Sequence, residues 1–99
     1  GGNTMEIRVQ AIHFDMSESL NDFVVKKAQR LARHYDTITN MDFNLRLVKP
    51  ETALNKEVVA KVLLPQYELV ASKTADTFEE ATDLAIEALK SQLEKAKNK

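Results

Sequence analysis

Basic side chains cluster in one short stretch of this 99-residue chain, residues 26–34, which carries four positive charges and no acid. On a helix, these cations and one aromatic ring would share an arc of about 120°. The residues in that arc are Phe23, Lys26, Lys27, Arg30, Arg33 and His34. Cations interleaved with an aromatic ring suit the phosphates and unstacked bases of a nucleic acid. A solvated basic face with its ring beside the core fits equally well, and helix geometry leaves both interpretations open.

Other residue types that carry chemistry lack the partners that catalysis or metal binding requires. Both glycines lie ahead of Met5, so there is no glycine-rich phosphate loop, and no cysteine is present. His13 and Asp15 would need further metal ligands from elsewhere, and His34 stands alone. No serine lies in a nucleophile-elbow context. The residues therefore predict a protein that is not an enzyme and has no cofactor, bound metal or small-molecule substrate.

Two hydrophobic periodicities predict the elements that position the basic stretch. Alternation at a period of two predicts four strands, near residues 5–11, 41–47, 58–64 and 68–74, with a loop at 49–56. The side chains expected to face the core from the last three strands are Met41, Phe43, Leu45, Leu47, Val58, Ala60, Val62, Leu64, Leu69 and Ala71.

Two helices are predicted from start signals and from apolar residues at steps of three and four. Ser17 caps the first helix, which should end near Tyr35, and the capping box at residues 77–80 opens the second. The apolar stripes comprise Leu20, Val24, Ala28, Leu31 and Tyr35 in the first helix, and Phe78, Thr82, Ala85, Leu89, Leu93 and Ala96 in the second. The sequence thus predicts an α+β fold in the order β-α-β-β-β-α, a four-stranded sheet with two parallel helices packed on one face. This layout is similar to that of double-stranded RNA-binding domains.

The net charge of -1 conceals an uneven distribution. Indiscriminate nucleic-acid binders are usually strongly basic, and this chain is not. Residues 79–87 carry four acids and no base, opposite in sign to residues 26–34. Because local fields determine binding surfaces, we expect a ligand to approach from the side of the first helix. The acids expected on the outward face of the second helix are Glu79, Glu80, Asp83, Glu87 and Glu94.

Chain length predicts a single domain, because two cores within 99 residues would each be too small. We expect the domain to span residues 5–97, with residues 1–4 left over from cloning. No apolar run approaches the roughly 20 residues that cross a bilayer, and no signal peptide is visible. These features predict a cytoplasmic protein without a membrane partner.

Several segments, in matching order and spacing, resemble the ribosome hibernation promoting factor family, also called protein Y or sigma-54 modulation protein. The resemblance extends over residues 5–97. Its segments are Met-Glu-Ile-Arg-Val at 5–9, Ser-Glu-Ser-Leu-Asn-Asp-Phe-Val at 17–24, residues 27–36, the Phe43-Leu45-Leu47 strand, residues 76–86, and Gln92-Leu93. The family fold has the element order predicted above, and because the chain ends at Lys99 it resembles a short member.

The resemblance implies a translation inhibitor that binds small-subunit rRNA near the decoding centre and overlaps messenger RNA and tRNA. Lys27 and Arg30 match the family's basic pair in the first helix. The full set of candidate rRNA-binding residues is Phe23, Lys26, Lys27, Arg30, Arg33, Lys90, Lys95 and Lys97. Ala88 and Ser91 depart from the family, which often has Lys and Arg at these places, and Lys90 compensates only in part from the acidic side. These departures bear on the affinity for rRNA more than on membership of the family.

Two other functions remain open. The chain could be a module for another structured RNA, or a protein-interaction domain that modulates a sigma factor through the acidic face of the second helix. Sedimentation of cell extracts separates the three hypotheses. A hibernation factor should migrate with small subunits or ribosomes, chiefly in starved or stationary cells.

Overall fold

The computed structural model describes residues 5–48 and 55–97, except for the side chain of Lys97. The expected cloning remnant at residues 1–4 and the loop at 49–54 lie outside the described residues. Within the described ranges the chain forms six elements in the predicted order. They are β1 (Glu6–Ile12), α1 (Glu18–His34), β2 (Asn40–Leu47), β3 (Lys56–Leu63), β4 (Glu68–Ala75) and α2 (Phe78–Lys97).

The strands of the described residues form one mixed sheet in the order β1-β2-β3-β4. β1 pairs with β2 in parallel, and β2, β3 and β4 form an antiparallel meander. One row of inward-facing residues crosses the sheet, because Val9 pairs with Phe43, Phe43 with Ala60, and Ala60 with Ala71. The predicted topology is confirmed, since a parallel first pair requires a crossover, which α1 supplies.

The two helices pack on this inward face and bury one hydrophobic cluster of the described residues. Its largest fully buried side chains include Phe43, Met41 and Leu45 of β2 and Leu89 of α2. The predicted core stripes are therefore largely confirmed. Leu47 was expected inside and is 43% exposed, because it is the last residue of β2 and pairs with Lys56 beyond the last residue that β1 covers.

Other deviations from the predicted elements also fall at element ends. Tyr35 and Ala96, at the ends of the two helical stripes, are half-buried rather than buried. Lys56 was assigned to the loop but is the first residue of β3. The predicted helix starts are confirmed, and within the described residues neither helix is long and apolar enough to cross a bilayer.

Contacts between α1 and α2 show that the helices run parallel. Phe14, in the segment just before α1, stacks its ring on that of Phe78, the first residue of α2, with centroids 4.9 Å apart. Further along, Lys27 of α1 contacts Asp83 of α2. At their ends the Tyr35 hydroxyl donates a hydrogen bond to Glu94. Because residue numbers rise together in both helices, the predicted parallel arrangement is confirmed, and the two helices enclose a groove along their shared edge.

Candidate nucleic-acid interface

The basic stretch forms one exposed shoulder of α1. Val24 and Leu31 turn towards the sheet and are buried, which leaves the cations on the outer side of the helix and on its flank facing α2. One shallow concavity is lined by Phe23, Lys26, Lys27, Gln29, Arg30 and Arg33, and we call this surface the α1 patch. Five of the six residues predicted to share one arc of the helix meet on this surface, whereas His34 lines a different concavity, between the two helices. Gln29 was missed, although its helical angle beside Lys26 places it there.

The aromatic ring of Phe23 lies beside the ammonium group of Lys27 in the α1 patch. Phe23 is half-buried, and the ammonium nitrogen of Lys27 lies 5.3 Å from its ring centroid. This distance is within the range of a cation–π contact. The contact places the ammonium group of Lys27 at the boundary between the α1 patch and α2.

Two of the candidate cations already form ion pairs. Lys27 Nζ lies 3.0 Å from Asp83 Oδ1, with the two side chains 32% and 51% exposed. Lys90 Nζ lies 3.6 Å from Glu87 Oε2, which confirms that Lys90 sits on the acidic side. Lys26, Arg30 and Arg33 are exposed and, across the described residues, make no ion pair.

The groove between the helices carries charges of both signs, and we call it the interhelical groove. It is lined by Lys27, Arg30, Leu31 and His34 of α1 and by Asp83, Ile86, Glu87 and Lys90 of α2. Three lysine or arginine side chains and two carboxylates therefore face one another along it. In the described part of the chain, no three His, Asp or Glu side chains are arranged to hold a metal ion.

The sequence matches a protein-family model over residues 7–99, most of the chain. That family is described as sigma 54 modulation protein / S30EA ribosomal protein. The chain belongs to this family. Proteins named ribosome hibernation promoting factor, from Pseudomonas putida and Azotobacter vinelandii, are each 30% identical to it over 95 residues. These alignments cover 96% of this chain and 89% and 85% of the two relatives.

Solved structures show the same fold. A ribosomal subunit interface protein from Coxiella burnetii superposes with a TM-score of 0.84 at 29% identity, over 95% of this chain and 99% of that one. The N-terminal domain of Protein Y from Thermus thermophilus gives a TM-score of 0.72 at 20% identity, over 91% and 93% of the two chains, and shows likeness of fold alone. The family and the fold that the resemblance implied are thus confirmed.

Within this family fold, the acids of α2 do not all face away from α1. Asp83 and Glu94 contact side chains of α1, and Glu87 lines the interhelical groove. All three are exposed, as expected for the outward acidic face, and Asp83 and Glu94 combine this exposure with a contact to α1. Positions 83, 87 and 94 lie within an arc of about 40° on one helix shoulder. The contacts of Asp83 with Lys27 and of Glu94 with Tyr35 place this shoulder at the edge of α2 nearest α1. Glu79 and Glu80, in the first turn, are exposed as expected.

The basic end of α2 is not brought into the same surface. Lys95 is exposed, and five residues of helix rotate it by about 140° from Lys90, away from the interhelical groove. The side chain of Lys97 lies outside the described residues. At the two positions that depart from the family pattern, Ala88 is half-buried against the core and Ser91 is exposed. The α1 patch therefore carries the concentrated positive charge.

Proposed function

We propose that this protein is a cytoplasmic ribosome hibernation factor. Its single domain, residues 5–97, binds rRNA of the small ribosomal subunit near the decoding centre and inhibits translation by occupying space that messenger RNA and tRNA need. The proposal is supported by family membership and by relatives that are named ribosome hibernation promoting factors. It requires no chemical step and no cofactor.

The observation that carries this proposal is the row of cations on α1. Lys26, Arg30 and Arg33 are exposed and, among the described residues, have no acidic partner. Seven residues of helix separate the first from the last, which is about 10 Å along the axis. A row of this length fits a continuous phosphate backbone better than a single phosphate group. Arginine also suits phosphate through its planar fork of donors.

The α1 patch is held on a rigid element, which is what an occluding ligand requires. Ser17 Oγ accepts a hydrogen bond from the backbone nitrogen of Leu20 at 3.1 Å and caps the helix. Val24, Ala28 and Leu31 are almost completely buried against the sheet and α2. Binding therefore costs little ordering of the backbone, and the entropy loss is confined to the long cationic side chains.

The contacts of the two helices also bear on the two alternative functions. A sigma-factor partner was expected to bind the acidic face of α2, but Asp83 and Glu94 of that set contact α1. A module for another structured RNA would use the same α1 patch. That alternative differs only in selectivity, so purified small subunits must be compared with an unrelated RNA duplex.

The test is binding of charge-reversal variants to purified small subunits. Arg30→Glu with Arg33→Glu removes two proposed phosphate contacts, each of about 1.5 kcal/mol, so affinity should fall about 100-fold. Lys73→Glu is the control, because it reverses the charge of an exposed cation on β4, outside the α1 patch. The control should bind normally, and both variants should melt near the wild-type temperature.

Salt dependence gives an independent measure of the same contacts. Three phosphate contacts predict a log–log slope of affinity against salt of about −2 to −3, through counterion release. A slope near zero, or an equal loss of binding in the control variant, would contradict the proposal. Equal affinity for small subunits and an unrelated duplex would favour the general RNA-binding module.

A further inference from the structure

The interhelical groove contains carboxylates directly beside two of its cations, one on α1 and one on α2. Asp83 Oδ1 lies 3.0 Å from Lys27 Nζ, and Glu87 Oε2 lies 3.6 Å from Lys90 Nζ. Arg30 also lines this groove without an ion pair among the described residues. Two of the three positive side chains of the groove are therefore already occupied by acids of the same protein.

These ion pairs reduce the free energy that an RNA gains by binding in the groove. An RNA phosphate that uses Lys27 has to displace the Asp83 carboxylate or remain beside it. The pair is half-exposed, so it is weak and readily exchanged. Its effect still works against RNA, because a phosphate that approaches Lys27 meets a charge that the Asp83 carboxylate already neutralises. Lys26 and Arg33, on the outer side of the α1 patch, do not line this groove.

This inference rests on the proposed function, in which RNA binds the α1 patch. An RNA then meets unpaired cations on the outer side of the patch and paired cations in the groove. An RNA that already lies on Lys26, Arg30 and Arg33 holds its next phosphates close to Lys27 at a high effective concentration. Such an RNA can exchange for Asp83 at little further cost. An RNA that contacts only the groove is not held at this high effective concentration. Its phosphates must displace the Asp83 carboxylate without help from the α1 patch.

We propose that Asp83 and Glu87 are specificity determinants that keep Lys27 and Lys90 in internal ion pairs and suppress binding of arbitrary RNA. The groove cations then engage only an RNA whose shape has already placed it on the α1 patch. The mildly acidic composition of the chain is consistent with this role, because a protein that must find one RNA surface gains from weak binding elsewhere.

The first test compares wild type and Asp83→Asn in binding a short single-stranded oligouridine at low salt. The substitution keeps the size of the side chain and removes its charge, so affinity should rise about two- to fivefold, the range of one exposed ion pair. The salt slope should steepen by about 0.7, since Lys27 gains one phosphate contact. Glu68→Gln is the matched control, because it makes the same charge change at an exposed position of β4.

A double-mutant cycle tests whether the effect acts through Lys27. In a Lys27→Gln background, Asp83→Asn should change affinity no more than Glu68→Gln does. Binding to purified small subunits is measured in parallel, and Asp83→Asn should improve it less than it improves binding to oligouridine. The ratio of the two affinities, which measures selectivity, should therefore fall.

The outcomes separate this inference from the function on which it rests. If Asp83→Asn matches Glu68→Gln on oligouridine, or keeps its full effect without Lys27, the inference is overturned. The proposed function stands in that case, provided that Arg30→Glu with Arg33→Glu still lowers affinity for small subunits about 100-fold. If that charge reversal also leaves small-subunit binding unchanged, both the inference and the function are overturned.

Discussion

At the scale of single residues, Tyr35 joins the ends of the two helices. Its hydroxyl donates a hydrogen bond to the Glu94 carboxylate. That hydrogen bond, then partial desolvation and the negative charge of Glu94, raise the pKa of Tyr35 above its ordinary value. Because the raised pKa favours the protonated form in the folded state, the contact stabilises the fold below the ordinary tyrosine pKa of about 10. This stabilisation is lost as pH rises through the folded-state pKa.

Replacement of Tyr35 by Phe should therefore change the pH dependence of stability. Melting temperatures of wild type and Tyr35→Phe are compared from about pH 8 to about pH 11, which spans the ordinary tyrosine pKa. The wild type should melt higher at the lower pH values, and the difference should shrink as the hydroxyl ionises. Tyr67 is present in both proteins, so it contributes equally to both melting temperatures and drops out of their difference. A difference that stays constant over this range would contradict the assigned role of the hydrogen bond.

The candidate site was predictable where it depends on one helix and not where it depends on two. Phe23, Lys26 and Arg30 share a surface because rotation per residue is a local property of any α-helix. The ion pair between Lys27 and Asp83 joins residues on separate helices. Its formation requires the relative rotation of the helices, which the packing of both apolar stripes on the sheet determines.

At the scale of elements, the helices are held by leucines that the periodicity assigned to the core. Leu31 of α1 is 2% exposed and Leu89 of α2 is 0% exposed. Leu31→Ala or Leu89→Ala should lower the free energy of unfolding by about 2–5 kcal/mol in urea denaturation. Leu84→Ala is the matched control, because Leu84 of α2 is 42% exposed, and it should cost less than about 1 kcal/mol. Equal losses at Leu84 and Leu89 would contradict the assignment of the core face.

Element boundaries were harder to predict than element types. Alternation in β2 correctly assigns Met41, Phe43 and Leu45 to the core, but it assigns Leu47 there as well. Periodicity shows to which side of the sheet a residue points. It does not show how far the neighbouring strands reach, and Leu47 lies one residue beyond the last residue of β2 that pairs with β1.

At the scale of the whole molecule, the topology followed from element order and handedness rules. A strand, a helix and a strand predict a parallel pair, and three strands with short connections predict a meander. The sheet confirms both. The arrangement places the cationic row of α1 and the mixed charges of the interhelical groove along one side of the molecule, which leaves the opposite face of the sheet uncovered by either helix.

The central claim, that the protein blocks translation by occupying space, makes a quantitative demand on inhibition. We would titrate the protein against a fixed amount of ribosomes in a purified translation system at several concentrations of initiator tRNA with initiation factors. Inhibition should saturate near about one protein per ribosome, and rising tRNA should relieve it, because ligands that need the same volume weaken each other's binding. If tRNA and this protein bound the same small subunit without mutual weakening, or if a small fraction of an equivalent silenced all ribosomes, the occlusion model would be wrong.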